Sequence, residues 1–175
     1  NDSAVAERLD SIAYPGLTAN FDAGKTAALA ISLLDWKTHG EAYALEMTAS
    51  AQALAAALQD GGVMVKASEL GSTLSHAFAV DARRYGGGHA AALRLRESNL
   101  LSSGIGLPSD TSGNEMGGLR LGLNEAVRWG LTTAEMPELA GLIIRGLEGD
   151  DAESVAADVR SFRSRFTDLH FVSQS

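Results

Sequence analysis

The chain contains no cysteine. That excludes a disulfide framework, a thiolate zinc site, an iron–sulfur cluster and a cysteine nucleophile. Positive charge is also scarce: 14 Lys and Arg stand against 22 Asp and Glu, a net charge of −8. Such a balance repels phosphate backbones and anionic bilayers at long range, so neither nucleic acid nor a membrane is an expected partner. No apolar run approaches the length of a bilayer span. No basic start followed by an apolar core marks a signal peptide, and the expected location is cytoplasmic. There is no low-complexity tract and no internal repeat. The chain begins with Asn1 rather than Met, which reads as a chain processed, trimmed or separated from something upstream.

What is present is the composition of a globular protein, 175 residues with 45% hydrophobic and 21% charged. That length is one domain, or a domain with a helical arm, and it buries roughly 70% of its unfolded surface. The segment before Asn20 reads as extended, with a turn at Tyr14-Pro15-Gly16. A helix is expected from Asp22 to about Lys37, broken at Gly40, with a second from Glu41 to about Gln59 that ends at Gly61-Gly62. Short strands are expected at Val63–Val65, Ser75–Ala82 and Leu100–Ile105, with a loop at Pro108–Gly113 and a strong strand over Gly118–Leu123. Further helices are expected over His89–Ser98, Thr133–Leu147 and Asp151–Phe166. The expected fold is α/β, with helices on one side of a small, mostly antiparallel sheet. The boundary falls between a segment 1–59, extended and then helical, and a small domain 60–175.

Arg120 is the sharpest single residue. Leu119, Leu121 and Leu123 alternate with Gly118, Arg120 and Gly122, so the leucines face a core and the arginine faces away. Its same-face neighbours are both glycine, which leaves an open approach to the guanidinium. That arrangement suits bidentate binding of a carboxylate. A surface arginine in a salt bridge, with glycines set by packing, is the other reading, and pattern alone leaves both open. His76, on the Phe78 and Val80 side of its strand, is either a site residue or a packed histidine.

Other candidates fall away. His39, His89 and His170 are far apart and lack metal-ligand spacing, so no metal is expected. The glycines at 86–88 precede a helix and could bind an anion, but no G-x-G-x-x-G pattern follows a strand. Gly24-Lys25-Thr26 resembles the end of a P-loop, but position 19, where that pattern requires glycine, is alanine. Arg128 beside Trp129 reads as a surface residue, and Arg160, Arg163 and Arg165 read as a solvated helix face.

Four stretches, taken in order, resemble the C-terminal part of serine hydroxymethyltransferases, in the fold-type I group of pyridoxal-phosphate enzymes. Tyr14-Pro15-Gly16 before an Ala-rich helix is similar to that family's aromatic-Pro-Gly turn. Glu41-Ala42-Tyr43 with the run Ala51 to Leu58 is similar to its long helix. Gly71-Ser72-Thr73-Leu74-Ser75-His76 is similar to the stretch bearing its T-x-x-H. Gly118-Leu119-Arg120-Leu121-Gly122 is similar to its S-G-I-R-x-G-T region, with Asn99, Pro108 and Gly130 at fitting distances. Together they cover about three-quarters of the chain.

The resemblance implies that Arg120 binds the carboxylate of an amino-acid substrate, with His76, Gly118 and Gly122 in support and with Gly16 and Thr18 in a loop near the cofactor phosphate. It implies pyridoxal phosphate as cofactor. The family's Schiff-base lysine follows a Thr-rich run and a histidine, and Lys25, Lys37 and Lys66 all lack that setting. No catalytic residue is therefore expected in this chain. The lysine would come from an N-terminal partner in a hetero-oligomer built on a dimer, with segment 1–59 contacting the partner's large domain. Where the family has Q-G-G-P after the turn, this chain has Thr18-Ala19-Asn20-Phe21. Where it has a polar folate-contacting N-K-N-x-x-P, this chain has Ser103-Gly104-Ile105-Gly106-Leu107-Pro108, which resembles folate-independent relatives such as threonine transaldolases. The implied chemistry is retro-aldol and aldol reaction on a β-hydroxy amino acid and an aldehyde. The alternatives are a fragment of an ordinary folate-dependent serine hydroxymethyltransferase, and a non-catalytic regulatory or interaction subunit with the same fold.

Overall fold

The structure, a computed structural model, describes residues 2–18, 20, 22–111 and 116–173. Ala19, Phe21 and the end of the expected 108–113 loop lie outside them. Asn1–Thr38 and His39–Ser175 form two compact units.

In the first unit the segment expected to be extended is instead a helix, α1 (Ser3–Ser11). Asp2 explains it: its Oδ1 accepts from the Ala4 amide at 2.9 Å and the Val5 amide at 3.3 Å, two donors that a helix start leaves bare. A turn follows at Ile12–Leu17, in which Tyr14 and Pro15 leave helical geometry. A long helix, α2 (Ala23–Asp60), begins after Asp22, whose Oδ1 accepts from the Lys25 amide. The expected break at Gly40 does not occur. A glycine costs a helix interior only about 1 kcal/mol relative to alanine, and the strong helix formers on both sides outweigh it.

In the second unit the later turns of α2 bury Tyr43, Met47, Ala51, Leu54, Ala55 and Leu58. That spacing is one helical stripe. The sheet has three strands, β1 (Ala77–Asp81), β2 (Ser103–Ile105) and β3 (Gly118–Gly122), in the order β1-β3-β2 and antiparallel throughout. Val63–Val65 contributes only a bridge from Val65 to Val80, because Gly62 and Ala67, both at positive φ, bound the extended stretch. The first strand starts two residues later than expected. The Thr73 hydroxyl accepts from the Ser75 amide and donates to the Ala77 carbonyl, holding residues 73–76 in a turn.

Helix α3 (Gly88–Glu97) packs on β2 and β3, and its first residue lies almost in contact with the sheet backbone. A Cβ at Gly88 would fall 1.8 Å from the Gly118 carbonyl oxygen, and one at Gly104 would fall 2.8 Å from the His89 nitrogen. Side chains at either position would push the helix off the sheet. Three helices complete the unit: α4 (Asn124–Arg128), α5 (Met136–Glu148) and α6 (Ala152–Arg163). Thr132 and Glu135 form a capping box before α5, and the Asp151 side chain accepts from the Ser154 amide at the start of α6. Leu54, Leu58, Leu95, Leu119, Leu123, Met136 and Val155 are almost wholly buried in one cluster. Each large side chain of that kind contributes roughly 1.5–3 kcal/mol by burial. The helices therefore cover the Leu119 side of the sheet, and the opposite side carries Arg120.

Arg160, Arg163 and Arg165 are all exposed, as a solvated helix face requires, and two of them also pack on the protein. Arg163 stacks on Trp129 at 4.4 Å, and Arg165 donates to Glu138 while lying 4.6 Å over Phe162. Arg128 is half-buried, donates to the Phe171 carbonyl at 2.7 Å and lies 4.7 Å over Tyr43. A guanidinium is weakly hydrated and flat, so it stacks on aromatic rings at modest desolvation cost.

Candidate functional site

Strand β3 sets the site. Leu119 and Leu121 are buried and Arg120 between them is exposed, as pleat alternation requires. Residues directly opposite across an antiparallel ladder share a face. Arg120 is paired with Ala79 on β1 and with Ser103 on β2. Gly122 is paired with Ala77, and Gly118 with Asp81 and Ile105. The guanidinium thus rises from a floor of alanine, serine and glycine. Asp81 is the one carboxylate in this set of paired residues. It is engaged by Arg83 at 2.7 Å and by Lys66 at 3.8 Å. Among the described residues Arg120 has no hydrogen-bond or ion-pair partner.

The two flanking glycines are not equivalent. Beside Gly122 a Cβ would make only ordinary contacts, 3.6 Å from the Ala77 Cβ and 3.9 Å from His76 Cδ2. That side of Arg120 is open, and it brings His76 to the edge of the site. His76 is exposed, its Nδ1 is 3.2 Å from Ser75 Oγ, and its carbonyl accepts from the Leu123 amide. Because the strand begins after it, His76 does not share the buried side of Phe78 and Val80. On the other flank Leu107 fills the space over Gly118, with Cδ2 at 2.6 Å from where a Cβ would sit. The approach to Arg120 is open on one side and walled on the other.

A group the sequence did not reveal lies beyond that wall. The Asp110 carboxylate accepts from the Leu107 amide at 2.7 Å, the Gly117 amide at 3.0 Å and Arg83 Nη2 at 2.5 Å. Its side chain is only 5% exposed. The Leu107 amide above all, then the Gly117 amide and the Arg83 guanidinium, hold its carboxyl below the usual carboxylate range. The only sequence signal was a Pro-Ser-Asp turn, which specifies nothing about Arg83, brought in by a different loop.

The remaining candidates separate from this cluster. The amides of Gly86, Gly87 and Gly88 donate to the carbonyls of Arg83, Ala82 and Met116, so they are spent on the fold. Gly16 and Thr18 belong to the first unit. The Thr18 amide and hydroxyl both donate to the Ala13 carbonyl, and a Cβ at Gly16 would lie 2.9 Å from the Ser11 oxygen. Lys25 pairs with Asp22 at 3.8 Å.

No family model matches the chain. It is 55% identical over 172 residues, 98% of its length, to an alpha-methylserine aldolase from Variovorax paradoxus, and 46% identical over 173 residues to one from Ralstonia. It is 37% identical over 164 residues to a serine hydroxymethyltransferase from Pyrobaculum calidifontis. The chain spans 38–40% of the length of these curated relatives. An L-threonine transaldolase from Pseudomonas fluorescens superposes on 91% of the chain with a TM-score of 0.80 at 20% identity, covering 36% of that structure. The fold is that of the C-terminal domain of a fold-type I pyridoxal-phosphate enzyme.

Proposed function

We propose that this chain, similar over the stretch it spans to alpha-methylserine aldolases and a serine hydroxymethyltransferase, is the substrate-carboxylate-binding part of a pyridoxal-phosphate enzyme that breaks and makes the Cα–Cβ bond of a β-hydroxy amino acid. One observation carries this reading: Arg120, without a hydrogen-bond or ion-pair partner among the described residues, stands on a floor of small side chains, open beside Gly122. A guanidinium presents a planar fork that matches a carboxylate bidentately.

The preferred substrate class is an α-methyl-β-hydroxy amino acid. Identity of 55% to alpha-methylserine aldolase against 37% to serine hydroxymethyltransferase supports the folate-independent reading. So does the run Ser103 to Leu107, where glycine and isoleucine replace polar groups. In the cleavage the β-hydroxyl loses its proton, the Cα–Cβ bond breaks and Cβ leaves as an aldehyde. The electron pair stays on Cα until a proton is added there. Pyridoxal phosphate, when bound, supplies the sink for that pair.

The residues of this chain fit the amino-acid end of such a site. Arg120 anchors the carboxylate and thereby fixes which Cα bond is aligned for cleavage. Gly122 leaves room beside it, Gly118 admits Leu107 as a wall, and His76 supports the open edge. Thr18 has its donors committed to Ala13, so it does not offer them to the phosphate as it stands. The Schiff-base lysine belongs, in this reading, to an N-terminal partner chain or region in an assembly built on a dimer. The segment 1–59 is the surface that meets it. Val5, Leu9, Leu29, Ile31 and Leu33, all more than half exposed, support that role.

The test is Arg120→Ala in the assembled enzyme. The KM for the amino acid should rise by at least about 30-fold, the usual scale for truncating a charged hydrogen-bonding partner. Assembly and the cofactor's visible band should persist. An unchanged KM would remove the carboxylate role from Arg120.

A further inference from the structure

We propose that Arg83 and Asp110 form a latch that positions Arg120 for its carboxylate, an inference that rests on the carboxylate-binding reading of Arg120. The latch joins three separate parts of the chain. Arg83 lies in the turn Arg83–Tyr85 after β1, and its guanidinium donates to Asp81 at 2.7 Å, Ser109 at 2.9 Å and Asp110 at 2.5 Å. Asp110 in turn accepts from the Leu107 and Gly117 amides. One buried carboxylate thereby ties the end of β1, the turn after β2 and the residue just before β3.

Each tie bears on Arg120 by a short path. Gly117 is three residues before Arg120, and its amide is held by Asp110 while its carbonyl accepts from the Ala82 amide at 2.8 Å. That fixes where β3 begins, and so which strand positions face Ala79 and Ser103. Leu107 is held through its own amide, which presses its side chain over Gly118 and builds the closed wall beside the guanidinium. Arg83 also engages Asp81, the carboxylate of the Arg120 face. Without Arg83, Asp81 would be less firmly committed and would become a competing partner for Arg120. The latch therefore does two things. It sets the wall and register beside Arg120, and it keeps the one carboxylate of the paired face engaged elsewhere. Neither residue touches substrate in this account; both are positioning residues.

The experiment uses the complete enzyme with Asp110→Asn, Arg83→Gln, Arg83→Lys and Arg120→Ala, and the double variant Asp110→Asn/Arg120→Ala. Initial rates give KM for the amino acid and kcat separately, and thermal melts report stability. Asp110→Asn and Arg83→Gln should raise the amino-acid KM by about tenfold with kcat changed by less than about threefold. Arg83→Lys, which keeps the charge but not the fork, should recover part of that loss. In the Arg120→Ala background Asp110→Asn should raise the KM no further, because its effect passes through Arg120. A lowered melting temperature with an unchanged KM in the single variants would make the latch structural only and overturn the proposal. So would a full tenfold additional loss in the double variant. If Arg120→Ala alone left KM unchanged, the carboxylate reading would fail instead, a result distinct from failure of the latch.

Discussion

Leu107 occupies the volume that position 118 would need for a side chain, its Cδ2 2.6 Å from the site of an absent Cβ. The glycine before Leu119 is therefore a packing requirement, and the bareness it gives to one flank of Arg120 is filled from another loop.

Substitution at these glycines should separate by what the new methyl would strike. Gly118→Ala meets the end of a flexible leucine and should cost about 1–3 kcal/mol. Gly88→Ala meets the backbone of β3 at 1.8 Å, and neither α3 nor the strand can yield cheaply. It should cost at least about 3 kcal/mol or prevent folding. Denaturant melts of the two variants rank them.

Gly141→Ala should act in the opposite direction. Position 141 is exposed within α5, and nothing lies within 4 Å of an added Cβ. Removing a glycine from such a position should stabilise by about 0.5–1 kcal/mol. A melt shows it as a raised midpoint with an unchanged denaturant slope.

Gly122→Ala tests the open flank. Its nearest contacts, at 3.6–3.9 Å, are ordinary, so stability should stay within about 0.5 kcal/mol of the parent. Binding of the amino acid should nonetheless weaken, because the methyl stands beside the guanidinium. Equal binding by parent and variant would mean that substrate does not approach over position 122.

Asp110 predicts an acid limit. Its carboxyl is held low, the Leu107 amide being the largest cause. A group with a lowered folded pKa stabilises the fold above its ordinary value, and that contribution is lost as pH falls through the folded one. Of the charged groups around it, Arg83 acts directly and with the same sign. Stability should therefore fall below about pH 4, the ordinary carboxylate range, and Asp110→Asn should flatten that fall while lowering stability near neutrality.

The contrast between Arg120 and Asp110 shows what a linear reading can reach. Arg120 was legible because its signal is local. Leucines at 119, 121 and 123 state which way the strand faces, and two glycines state that the arginine has room. Asp110 has no such signal, since its partners Arg83 and Gly117 come from other loops and a turn aspartate looks the same wherever it points. Helix α1 was hidden for a related reason: the cap at Asp2 decides it, whereas the proline turn at Tyr14 drew attention to extended geometry. His76 was placed on the wrong side because the Thr73 hydroxyl, not the alternation of side chains, decides where β1 starts.

The strand order has a consequence for how the domain is made. The two outer strands come first along the chain, and neither pairs with the other. Both await β3, with Ala77 meeting Gly122 across most of the intervening sequence. Strands β2 and β3, neighbours along the chain, pair across residues 106–117, whereas β1 reaches β3 only across residues 82–117, so closing the β1–β3 edge carries the loop-closure cost of distant pairing. A nascent chain that has not yet passed Gly122 holds two orphan edges, and Arg120 arrives on the strand that completes the sheet.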